Sequence, residues 1–198
     1  MLFQNSSPEK RRRLISWSLL ILYVSFIFSF IPYAVPTLKF LVDKAKLDLN
    51  LSMFFLGVFI LIVSYSYSLM KTTAFRNVKA GLFLSFIVMG YLILFIFFTK
   101  TPMARFHLFE YGVLGCFAYQ ALSVDLKGEN IYGAGMIIVI LVGTLDEIFQ
   151  LYFPNRFGDL KDIFINSTSG LLGLGAFATL IKPSGKENLK KQLADEIS

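Results

Sequence analysis

The sequence contains few charged residues, one cysteine and one histidine. Charged residues make up 16% of its 198 residues, whereas soluble domains carry about 25%. The single cysteine, Cys116, excludes an intramolecular disulfide framework. With a single histidine, His107, a divalent metal site would have to rest mainly on carboxylates. The composition therefore predicts no cofactor and leaves a divalent metal as an alternative.

The chain contains several long apolar runs without charged residues. Hydrophobic residues make up 56% of the chain, and the mean hydropathy is +0.65. A helix needs roughly 20 apolar residues to cross a bilayer core, and the runs are continuous, which excludes the alternating strands of a membrane β-barrel. We predict an all-α, polytopic transmembrane helical bundle of about six spans. The spans are residues 14–31, 51–70, 80–99, 106–124, 131–153 and 163–181.

The net charge of +6 is explained by membrane topology better than by nucleic-acid binding. The basic run at residues 10–13 abuts the first span, which is typical of a cytoplasmic anchor, although an anionic-lipid or partner-binding patch is the alternative. With the N-terminus inside, the inner segments hold 12 lysines and arginines and the outer ones seven. We predict a multi-pass protein with both termini cytoplasmic and no nucleic-acid partner.

The predicted spans divide the chain into four regions. Residues 1–13 form a basic cytoplasmic N-terminus, and residues 14–99 hold three apolar anchoring spans. Within them, an amphipathic segment near 36–49 predicts a short helix in the outer interface or one packed over the bundle mouth. Residues 105–181 form a three-span region with polar residues, and residues 182–198 form a cytoplasmic tail.

Ionisable residues inside the last three spans are the strongest functional signal. A charge at the bilayer centre costs at least about 2.5–3.5 kcal/mol, so such residues persist mainly at functional or paired positions. Each span carries its polar residues on one face. The faces hold His107, Glu110 and Tyr111 on the fourth span; Asp146, Glu147 and Gln150 on the fifth; and Asp162 and Asn166 on the sixth.

The polar faces are predicted to meet near the outer leaflet. A rise of about 1.5 Å per residue places Asp146 roughly 10 Å, and Glu110 and Asn166 roughly 5–6 Å, below the outer ends of their spans. Arg156 lies in the adjoining outer loop, where it suits a phosphate or carboxylate ligand; pairing with a nearby aspartate is the alternative. One convergent site is the economical interpretation.

Three functions remain open for these residues. In an enzyme acting on a lipid headgroup or lipid-linked precursor, His107 would be general acid or base, oriented by Glu110. Asp146 and Glu147 would supply an acid beside a base. The substrate would contact Tyr111, Gln150, Arg156, Asp162 and Asn166. In a transporter or non-enzymatic binder the same groups would bind a headgroup, a drug or a proton, and in a structural subunit they would only hold the bundle together.

Two sequence blocks resemble the VanZ-like family of membrane proteins. Residues 107–115, HLFEYGVLG, are similar to its H-x-x-E-Y signature. Residues 146–150, DEIFQ, and 153–156, FPNR, followed by Asp162, Asn166 and Gly170, resemble its second block. The resemblance covers residues 105–175, with both blocks in order. One departure is Phe149, where many members have a second histidine, so a mechanism needing two histidines is not supported here.

The resemblance implies a protein of the bacterial cytoplasmic (inner) membrane. The family's name-giving member is associated with low-level resistance to teicoplanin-type glycopeptide antibiotics. By resemblance, the expected partners are membrane lipids, a lipid-linked cell-envelope precursor or such an antibiotic. The resemblance supplies no mechanism, and whether the chain is an enzyme stays open.

Overall fold

The secondary structure of the described residues consists of helices joined by short connections. A computed structural model describes residues 7–44, 78–153 and 158–181, with only the backbone at positions 41, 42, 78 and 181. These residues form five α-helices and no strand. The helices are α1 (Pro8–Asp43), α2 (Val78–Ile93), α3 (Pro102–Asp125), α4 (Asn130–Gln150) and α5 (Leu160–Ile181), and a π-helical segment, Leu94–Phe98, continues α2.

Local sequence signals account for where two of the helices begin. The Ser7 hydroxyl accepts a hydrogen bond from the Lys10 amide at 3.4 Å, and Thr101 accepts one from the Ala104 amide at 3.2 Å. A proline follows each of these caps, at the first helical position, where its missing N–H costs nothing. The local sequence therefore accounts for where α1 and α3 begin.

Four of the described helical segments are long and apolar enough to cross a membrane. They are Pro8–Phe40, Lys79–Phe98, Asn130–Gln150 and Leu160–Leu180. Their outer surfaces expose large apolar side chains such as Leu22, Phe86 and Leu141, which water would not favour but lipid would. The all-α, multi-pass membrane fold predicted from composition is confirmed.

The exact number of spans stays a prediction. The predicted span at 51–70 and the predicted tail at 182–198 lie outside the described residues. Helix α3 covers the predicted fourth span but does not belong to the four segments above. Among the described helices it is the most enclosed, in contact with α1, α4 and α5, and its most extensive contact is with α5. A helix surrounded by protein can carry polar residues that a lipid-facing helix cannot.

Helix α1 is longer than its predicted span. It continues past Pro32 and Pro36 to Asp43, so residues 36–43 are its last part and not the start of a separate interfacial helix. Proline near the beginning of an amphipathic segment suggested a helix start, but membrane helices also tolerate proline in their interior. Residues 45–49 of that segment lie outside the described residues.

The two ends of the bundle differ in chemistry. At one end, Asp125 of α3 accepts a hydrogen bond from the Trp17 indole N–H at 2.7 Å and pairs with Arg13 at 2.9 Å. Helices α1 and α3 are therefore antiparallel. The beginning of α3, the end of α4 and the beginning of α5 lie together at the other end, away from the basic N-terminus.

Candidate functional site

The fold brings polar side chains of three helices into the buried interior. Helix α3 contributes His107, Glu110 and Tyr111, helix α4 contributes Asp146, Glu147 and Gln150, and helix α5 contributes Asn166. All seven residues are buried. Helical periodicity alone cannot show whether two faces meet. The structure shows that the faces of α3 and α4 do.

The imidazole of His107 lies between carboxylates of two helices. Its Nδ1 is 3.3 Å from Oε2 of Glu110, one turn along the same helix, and 3.7 Å from Oδ2 of Asp146 on α4. Neither ring nitrogen has a hydrogen-bond partner in the described part of the protein. Close approach without a hydrogen bond means that the ring nitrogens and the carboxylate oxygens are not directed at one another.

The two carboxylates of α4 accept hydrogen bonds from Gln150 of the same helix and from the backbone before α5. The Gln150 side-chain amide donates to Oδ2 of Asp146 at 3.1 Å and to Oε1 of Glu147 at 3.4 Å. The backbone N–H of Asp159, before α5, donates to Oε2 of Glu147 at 3.1 Å. Gln150 therefore bridges the two carboxylates of α4, and Glu147 links the end of α4 to the start of α5.

Tyr111 and Asn166 lie one helical turn further into the bundle. The Tyr111 hydroxyl donates to the Val142 carbonyl of α4 at 3.4 Å, and its ring centroid is 6.2 Å from that of His107. Asn166 packs beside Gly143, where an added Cβ would lie 3.1 Å from the Cβ of Asn166. Both polar atoms of the Asn166 side chain are buried without a hydrogen-bond partner in the described protein.

The structure does not place the other two predicted site residues, Asp162 and Arg156, among the buried residues of the cluster. Asp162 is half-buried in the first turn of α5. Arg156, predicted to bind a phosphate or carboxylate, lies outside the described residues together with the rest of segment 154–157. Their roles in the site stay predictions, as do the catalytic roles of His107 and its carboxylate neighbours.

Side chains from the helices assigned only to anchoring also reach this region. The Tyr23 hydroxyl of α1 donates to the Glu110 carbonyl, and the Tyr91 hydroxyl of α2 donates to the Ser169 carbonyl, both at 2.9 Å. Ser169 in turn donates to the Leu108 carbonyl. In the sequence, these two residues are marked only as tyrosines within apolar spans. Because the chain has nine tyrosines, this feature does not single out Tyr23 and Tyr91.

The fold and the polar cluster together define a multi-pass helical membrane protein with a buried acidic site. Within that class, the family model for VanZ/LLP1 matches residues 14–182. The chain belongs to this family, which confirms the resemblance noted in the two sequence blocks and extends it to the first three predicted spans. No curated protein and no solved structure matches the chain.

Proposed function

We propose that the chain binds the polar head of an envelope amphiphile in this buried site, near the outer face of the membrane. The expected ligands share one chemistry, a polar or charged head joined to an apolar tail. An envelope lipid, a lipid-linked cell-envelope precursor and a teicoplanin-type lipoglycopeptide all have it. The tail suits the apolar outer surface of the bundle, and the head suits the polar cluster.

One observation carries the proposal. His107 and Asn166 are buried, yet their side-chain polar atoms have no hydrogen-bond partner in the described protein. Leaving a buried donor or acceptor unsatisfied costs about 1–3 kcal/mol. Polar groups that only hold a bundle together satisfy one another, whereas groups that await a ligand do not. This favours binding over a purely structural role.

Asn166→Leu separates the binding role from the structural one. Leucine has a similar size and removes two unsatisfied polar atoms, so the melting temperature in detergent should stay level or rise. Native mass spectrometry of the purified protein should show a co-purified amphiphile in the natural chain and at least a tenfold lower occupancy in the variant. The mass of the released molecule distinguishes lipid, precursor and added antibiotic.

Ser123→Ala is the matched control, because Ser123 lies near the far end of α3 and its hydroxyl donates only to the carbonyl of Gln120 in the preceding turn. It should leave amphiphile occupancy unchanged. A large drop in melting temperature for Asn166→Leu, with no amphiphile on either protein, would show that Asn166 is a packing residue and contradict the proposal.

The orientation of the site in the membrane has its own test. In a Cys116→Ser background, Asn155→Cys should react with a membrane-impermeant maleimide in intact cells, because the charge asymmetry of the loops places this segment outside. Ser184→Cys, in the predicted cytoplasmic tail, should react only after permeabilisation. The reverse pattern would place the polar site at the cytoplasmic face.

A further inference from the structure

Three buried side chains from two helices bring potential metal ligands together. One ring nitrogen of His107 and one carboxylate oxygen each of Asp146 and Glu147 all lie within 4.8 Å of one another. The three residues are 1–3% exposed. We propose that they bind a divalent transition-metal ion of the Zn²⁺ type. This goes beyond the proposed function, because metal binding needs no amphiphile.

The state of the imidazole points to a metal ion rather than to an acidic cluster alone. Nδ1 of His107 is 3.7 Å from Oδ2 of Asp146, yet neither ring nitrogen has a hydrogen-bond partner in the described protein. The ligand atoms of a metal site point at a common centre and not at each other. A bound ion would satisfy a nitrogen that is otherwise buried at a cost of about 1–3 kcal/mol.

The surroundings resemble the outer partners that orient metal ligands. Gln150 donates to both α4 carboxylates, and the Asp159 backbone N–H donates to Glu147. A carboxylate has about four lone-pair sites, so a hydrogen bond to one of its oxygens does not exclude a bound ion. Glu110, whose Oε2 is 3.3 Å from Nδ1, places a further carboxylate beside the ring.

The donor set indicates the class of ion. Zn²⁺ accepts imidazole nitrogen and carboxylate oxygen in one site, and the three residues leave a further position open, whereas Mg²⁺ prefers oxygen ligands alone and keeps its water. Zinc bonds of about 2.0–2.2 Å put tetrahedral ligand atoms about 3.4 Å apart, so the cluster would contract slightly on binding. A divalent ion would also offset the carboxylate charges and offer a position for a phosphate oxygen of a bound headgroup.

The test uses the full chain in detergent, purified with a tag that contains no histidine. After treatment with EDTA, the protein receives Zn²⁺, is desalted and is analysed for metal by mass spectrometry. We expect about one Zn²⁺ per natural chain, undiminished by a hundredfold excess of Mg²⁺, and at least a tenfold loss in Glu147→Gln. Glu129→Gln, the same substitution at the exposed start of α4, should keep the metal.

A spectroscopic measurement covers the case in which Glu147→Gln does not fold. Loaded with Cu²⁺, the natural protein should show imidazole nitrogen coupling in pulsed paramagnetic resonance. Because His107 is the only histidine in the chain, this coupling can be assigned to His107. Three results would each contradict the metal site. They are the absence of that coupling, fewer than about 0.1 Zn²⁺ ions bound per chain, and equal amounts of bound Zn²⁺ in Glu147→Gln and Glu129→Gln. Amphiphile binding in metal-free protein would leave the proposed function standing, and metal binding without any amphiphile would refute only that function.

Discussion

Gly173→Ala should weaken the bundle more than any other methyl-sized change on α5. An added Cβ would overlap the Gly112 carbonyl oxygen of α3, which is backbone and cannot rotate away. The helices would have to separate along their broadest contact. Overpacking costs about 1–3 kcal/mol, and a chain of this length loses about 2–4 °C per kcal/mol. We expect the melting temperature in detergent to fall by roughly 5 °C or more.

Gly175→Ala is the matched control on the same helix. Its added Cβ would make only ordinary contacts, at 3.5 Å, with side-chain atoms of Ile87 and Phe83. Because alanine is about 1 kcal/mol better than glycine in a helix interior, this variant should be as stable as the natural protein or more so. Equal destabilisation of both variants would show that α3 and α5 are not packed backbone to backbone.

Glu147→Gln should abolish function while the fold persists. The amide keeps the shape of the side chain but can accept through one oxygen only, so either the Gln150 or the Asp159 hydrogen bond is lost. That loss costs about 1 kcal/mol, and removing a buried charge offsets part of it. If Glu147 acts as a general acid or base, glutamine cannot replace it, and the rate should fall about 10²–10⁴-fold. If Glu147 binds a metal ion or pairs with a cation, the uncharged amide removes that interaction as well.

The measurements for Glu147→Gln are amphiphile occupancy by native mass spectrometry and teicoplanin susceptibility of a bacterial host, the phenotype that the family resemblance suggests. Susceptibility should return to that of a host lacking the chain, with expression and melting temperature nearly unchanged. Glu129→Gln should behave as the natural protein in all of them. Retained resistance with normal stability would remove Glu147 from the site, and joint loss of stability and resistance would assign it a packing role.

Much of the architecture follows from sequence alone because a bilayer imposes simple rules. Apolar runs of about 20 residues predict helices, and polar residues inside them must face protein. Those rules identified the polar faces of α3 and α4 that the structure brings together. They did not anticipate the length of α1, since proline inside a membrane helix and proline at a helix start look alike in sequence.

The sequence by itself thus determined the fold class, the family and most of the buried polar residues of the cluster, because hydrophobicity and helical periodicity are local properties. Only the tertiary structure decided which polar atoms meet. How the helices cross determines that His107 lies close to Asp146 and that the Asp159 backbone N–H donates to Glu147. It also leaves His107 and Asn166 without hydrogen-bond partners in the described protein. Crossings are set by where small residues such as Gly112 and Gly173 allow backbones to touch, and such contacts join residues far apart in the chain.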